Sequence, residues 1–93
     1  MPDADDVLKA LQQRFLERAA EELVLLRDGA CGPHTPDFAS LVHRLAGAAG
    51  TFGFPEVSGA AGAVDQALAR GDGVEPSRLE ALIKALEALP QAA

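Results

Sequence analysis

Among the side chains able to act as nucleophile, base or metal ligand, His43 stands out for the residues around it. Imidazole can carry or release a proton near neutral pH, and it can serve as nucleophile or ligand, so its direction decides which role is open. Helical spacing runs from Pro36 to Phe52. With successive residues about 100° apart, Phe38, Leu41, Leu45, Ala48, Ala49 and Phe52 fall on one arc almost opposite His43. The core direction is thus filled by apolar side chains, and His43 is predicted to face water. Ala39, Ser40, Ala46, Gly47 and Gly50 lie within about 60° of it, where a solvated helix would ordinarily carry Glu, Lys or Gln. Gly47 and Gly50 each cost roughly 1 kcal/mol against alanine inside a helix, so a cleared surface for close approach of another protein is the reading they favour. Tight packing between helices is the alternative for both glycines.

The other reactive side chains carry no comparable pattern. His34 precedes His43 by nine residues across a proline-containing turn, a spacing that matches no metal motif, and the exposed face of His43 is expected to offer no carboxylate. No metal site is expected, and His34 reads as a polar loop residue. Cys31 is the sole cysteine, so it has no internal disulfide partner and reads as a bystander thiol.

Four helices must position His43. Asp3, Asp5 and Asp6 suit a helix start, and Asp28-Gly29 stops a segment running from about Asp5 to Arg27, with Leu8, Leu11, Phe15, Leu16, Ala19, Leu23 and Leu26 as its buried stripe. Gly29 to Thr35 is a loop. Thr35-Pro36-Asp37 supplies a cap, a first-turn proline and an acidic first turn for the histidine helix, which Gly53 interrupts. Pro55-Glu56 opens a third helix carrying Val57, Ala60, Ala61, Val64 and Leu68, closed by Gly71-Asp72-Gly73. Pro76 opens the fourth, with Leu79, Leu82, Ile83, Leu86 and Leu89 on its apolar face and Pro90 at its end. Four amphipathic segments with short links predict an all-α, antiparallel up-and-down four-helix bundle.

Composition agrees with that fold and narrows the function. The 93 residues suit a single domain, spanning 1–93, and with 48% apolar but only 4% aromatic residues the core must be close-packed Ala, Leu and Val. A net charge of −6 with only eight scattered Lys and Arg argues against nucleic acid as partner. No run is apolar enough to cross a membrane, and the start is acidic where a signal peptide would be basic, so a cytoplasmic protein is expected; Met1 and the four-helix complement favour a free-standing protein over a module of a larger one.

The string His43-Arg44-Leu45-Ala46-Gly47-Ala48-Ala49-Gly50-Thr51-Phe52-Gly53 resembles the signature of histidine-phosphotransfer (HPt) domains of multistep phosphorelays. That signature has a histidine, a leucine two positions on, often a lysine at the third position, a glycine at the fourth, and a run of small residues ending in an apolar residue and glycine. The likeness extends through nearly the whole chain, from the long leading helix to the Leu-rich last one. It implies that His43 is the phosphoacceptor, attacking through the ring nitrogen farther from the backbone. It also implies that receiver domains of a hybrid histidine kinase and of a response regulator are the partners, donating and accepting through aspartates.

By the same resemblance the chain is a phosphocarrier and not an enzyme in its own right. It binds no cofactor, and the Mg²⁺ and lysine that assist transfer belong to the receiver. The family's lysine position is Ala46 here. Arg44, about 100° round the helix from His43, either reaches back to the phosphate or favours docking on an acidic receiver pocket through its charge. Ser40, Ala39, Val42, Ala46, Gly47 and Gly50 complete the expected phosphate-supporting or docking surface. The alternative function is a helical adaptor that binds a receiver or kinase without carrying phosphate, through an apolar patch of Val42, Ala46 and Phe54 beside His43. An oligomerisation bundle would need a second apolar stripe, which only Leu23-Val24-Leu25-Leu26 suggests, so a monomer is expected.

Overall fold

Punctuation by proline and glycine divides the chain where the helices begin and end. A computed structural model describes residues 3–27 and 36–90 and places there four helices: α1 (Ala4–Arg27), α2 (Pro36–Phe52), α3 (Pro55–Ala69) and α4 (Pro76–Glu87). Asp3 caps α1 by accepting a hydrogen bond from the Asp6 amide at 2.9 Å. Gly53 and Gly71 end α2 and α3 in the left-handed conformation, with φ of 85° and 78°. The next amides, of Phe54 and Asp72, reach back to the carbonyls of Ala49 and Ala67, which satisfies the last turn of each helix. The Thr35 cap, His34 and Cys31 lie outside the described residues.

α2 packs between α1 and α3, and α4 closes the ring against α3 and α1. Phe15 of α1 meets Phe52 at the end of α2, while Arg18 and Glu22 lie beside Arg44, so those two helices run antiparallel. The short turn through Gly53 folds α3 back along α2 in the same way. The result is the all-α, antiparallel up-and-down bundle that the periodicity predicts. Its core is Phe15, Ala19 and Leu26 of α1, Phe38, Leu41, Val42, Leu45 and Ala49 of α2, Val57, Ala61 and Val64 of α3, and Leu82 and Leu86 of α4. No helix among the described residues is long and apolar enough to cross a membrane.

Two parts of the expected stripe on α1 are corrected. Leu8 and Leu11 are exposed, at 43% and 38%, because α1 runs past the end of α2: Gln12 already donates its side-chain amide to the Phe52 carbonyl, 2.8 Å away. From Leu11 toward the start of α1, α2 no longer covers the apolar side chains. Conversely Glu22, a carboxylate, is buried on the core side of α1.

Candidate functional site

His43 occupies the middle of α2 and points away from the core, its side chain 77% exposed. The burial of Phe38, Leu41, Leu45 and Ala49 on the opposite side fixes that direction, because rotating α2 to hide the imidazole would bring those side chains into water. The face around it is as small as the spacing predicts. Ser40, Gly47 and Gly50 are exposed, and Ala39 and Ala46 are half-buried.

The two glycines differ in what they serve. A Cβ on Gly47 would meet nothing within 4 Å, so no contact within the chain requires glycine there. A Cβ on Gly50 would stand 3.1 Å from the Ser58 hydroxyl of α3, which itself donates to the Ala46 carbonyl at 3.0 Å. Gly50 therefore allows α3 to approach α2 closely, the alternative reading of its small size. Gly47 keeps the open-surface reading.

Val42 is corrected outright: it is fully buried, since α2 is flanked by both α1 and α3 and its buried arc is wider than one neighbour would make it. It offers nothing to a docking partner. Phe54 is stacked on Phe15 with ring centroids 5.0 Å apart, so the apolar patch of Val42, Ala46 and Phe54 expected for an adaptor does not form.

The absence of a carboxylate near His43 is also overturned. Asp65 of α3 places Oδ2 3.1 Å from His43 Nδ1. Sequence reasoning missed it because it looked along one helix, whereas this pair forms between two. The signal was present in the spacing: His43 and Asp65 stand at equal distances on either side of Phe54, the pivot of the α2–α3 turn, as do Gly50 and Ser58. In an antiparallel hairpin, residues equidistant from the turn come side by side. A carboxylate oxygen accepts when ionised, so this contact favours the tautomer with the proton on Nδ1, the one that leaves the Nε2 lone pair unused by the pair.

Arg44 leans the other way, toward α1. Its Nε donates to the Ser40 carbonyl at 3.3 Å, and its side chain lines a groove of about 220 Å³ with Phe15, Arg18, Glu22, Leu45 and Ala48. Glu22 lies 3.6 Å from Arg18 Nε in that groove. Burial raises the Glu22 pKa, and the positive charges of Arg18 and Arg44 oppose the shift without cancelling it. The site thus has an anionic orienting group on the α3 side of His43 and two guanidinium groups on the α1 side.

No curated protein and no solved structure matches the chain. The Hpt domain family matches it over residues 10–92, nearly its full length, which takes in all of α2, α3 and α4 and most of α1. A match over nearly the whole length of a four-helix bundle shows the family, and the chain belongs to the Hpt domain family.

Proposed function

We propose that this chain is a phosphocarrier of a two-component phosphorelay, taking a phosphoryl group from a receiver-domain aspartate onto His43 and passing it to the aspartate of a response regulator. The observation that carries this reading is the pairing of an exposed imidazole with Asp65 through Nδ1, which leaves Nε2 free and outward. Nε2 attacks phosphorus in line with the acyl phosphate oxygen. The N–P bond forms as the P–O bond to aspartate breaks, and the electron pair of that bond stays on the leaving carboxylate. No proton has to leave Nε2 first. The ring becomes cationic on transfer, and the Asp65 carboxylate faces that charge across the Nδ1–H bond. Reversal of the same step delivers the group to the second aspartate.

Alignment and charge stabilisation dominate such a loose transition state, and the Mg²⁺ and lysine that provide most of it reside in the receiver. This chain contributes the nucleophile, its tautomer and a surface shallow enough for the receiver's loops to reach Nε2. The open space over Gly47 supports that last contribution.

The test is incubation of the purified chain with a phosphorylated receiver, followed by measurement of the rate of transfer. His43→Gln is expected to abolish uptake. Asp65→Asn is expected to slow it, because an amide can donate to Nδ1 and so favour the tautomer with the proton on Nε2. Full-rate transfer in Asp65→Asn would remove the tautomer from the account, and uptake by His43→Gln would remove the phosphocarrier reading.

A further inference from the structure

Glu22 is the one buried charged side chain among the described residues, and the phosphotransfer chemistry makes no use of it. It stands on the core side of α1 near Phe15, Ala19 and Leu26, where an apolar residue would ordinarily pack. Holding a carboxylate in such a place is unfavourable unless cations accompany it, and breaking the set would leave a buried charge unmatched. The cations here are Arg18, at 3.6 Å, and Arg44, which shares the groove and interacts electrostatically with the same carboxylate.

The distribution of charge gives that arrangement a use. The chain is acidic overall, and Arg27, Arg70, Arg78 and Lys84 each face a carboxylate elsewhere on the bundle. Arg18 and Arg44 share the α1–α2 groove with Glu22, Arg44 being the residue that follows His43 in the chain, and Arg14 stands one turn before Arg18 on the same side of α1. Arg18 and Arg44 make the α1 flank of α2 positive, and Glu22 lines the same groove.

We propose that Glu22 is a positioning residue for docking: it draws the Arg44 guanidinium into the α1–α2 groove and thereby limits the positive charge that the His43 face shows to an acidic partner. The proposal rests on the phosphorelay reading for the identity of that partner, a phosphorylated receiver whose acidic pocket must approach His43. Weak attraction suits a carrier, which has to leave one receiver before it can serve the next. Removing the Glu22 charge frees Arg44 and strengthens the attraction.

The experiment measures the second-order rate constant of transfer from a phosphorylated receiver across ionic strength. Glu22→Gln is expected to raise it about two- to fivefold at low salt, with the gain disappearing above roughly 0.5 M salt. Glu22→Asp, which keeps the charge, should stay near wild type. Glu80→Gln makes the same change of net charge on α4, away from α2, and should alter the rate by less than about 1.5-fold. In an Arg44→Gln background the Glu22→Gln gain should fall by more than half.

A gain no larger than that of Glu80→Gln, or one that is undiminished without Arg44, would overturn the proposal. A second measurement needs no receiver: ¹⁵N relaxation of the Arg44 Nε–H group should report an ordered side chain in the wild type and a more mobile one in Glu22→Gln. Equal order in both would overturn it too. A wild-type chain that phosphoramidate labels on His43 but no phosphorylated receiver does would instead refute the phosphorelay reading, and the relaxation measurement would still decide whether Glu22 holds Arg44.

Discussion

Gly47 and Gly50 lie one turn apart on the same helix, yet the structure assigns them different responses to a single methyl group. Both are helical glycines, and replacing glycine by alanine in a helix interior stabilises it by roughly 0.5–1 kcal/mol. At Gly47 nothing lies within 4 Å of the new Cβ, so Gly47→Ala should realise that gain. For a domain of this size it corresponds to a rise in Tm of about 4–8 °C per kcal/mol.

At Gly50 the new Cβ would stand 3.1 Å from the Ser58 hydroxyl and displace it from the Ala46 carbonyl. Losing that hydrogen bond costs about 1 kcal/mol, which cancels the helical gain. Gly50→Ala should therefore melt within a few degrees of the wild type, and Ser58→Ala in the same chain should relieve the crowding. Function should follow the reverse order. Transfer from a phosphorylated receiver should fall from Gly47→Ala to Gly47→Leu, as added volume blocks the approach that in-line attack requires, while labelling by phosphoramidate persists. The assays are thermal denaturation followed by circular dichroism, and the two phosphorylation rates measured side by side. Equal stabilisation by Gly47→Ala and Gly50→Ala would refute the packing distinction, and full receiver-dependent transfer in Gly47→Leu would refute the access reasoning.

His43→Gln should leave the urea midpoint within the equivalent of about 0.5 kcal/mol of wild type, because the side chain is largely exposed; a loss of several kcal/mol would place it in the core. Glu22 makes stability depend on pH with a definite sign. Its folded pKa lies above the unfolded value, so its contribution is fully present below the unfolded pKa and is lost as pH rises through the folded pKa. Glu22→Gln should consequently gain on the wild type in urea denaturation as pH rises from the acid range toward neutrality, and parallel curves would contradict the burial of an ionised carboxylate. Arg44→Ala should shorten the lifetime of the phosphohistidine only if the guanidinium leaves the groove to reach the phosphate, with Ala46→Lys then restoring part of it; an unchanged lifetime in Arg44→Ala assigns all cationic stabilisation to the receiver.

The helices were legible because their ends are written in residues with one structural use. Pro36, Pro55 and Pro76 open three of them, and Gly53 and Gly71 close two in a conformation that favours glycine. The direction of His43 was legible for a related reason, since a buried arc on one helix fixes what lies opposite. What a single helix could not reveal were the properties shared between helices. Val42 is covered only because α3 packs on that side, and Leu8 and Leu11 are uncovered only because α2 ends beside Gln12. Asp65 reaches His43 through the register of the α2–α3 hairpin, which a sum rule about Phe54 would have supplied. Glu22 stayed hidden for a different reason: hydrophobic periodicity treats a carboxylate on the core side as a break in the stripe, and only the positions of Arg18 and Arg44 account for it.

His43 Nε2 is the atom proposed to carry the phosphoryl group. The most direct measurement is to phosphorylate the chain with a phosphorylated receiver, locate the group by mass spectrometry, and identify the substituted nitrogen by ³¹P and ¹⁵N NMR. The expected result is a single acid-labile, base-stable phosphate on Nε2 of His43, and none on His43→Gln. Phosphate on Nδ1, on another residue, or on the His43→Gln variant would contradict it.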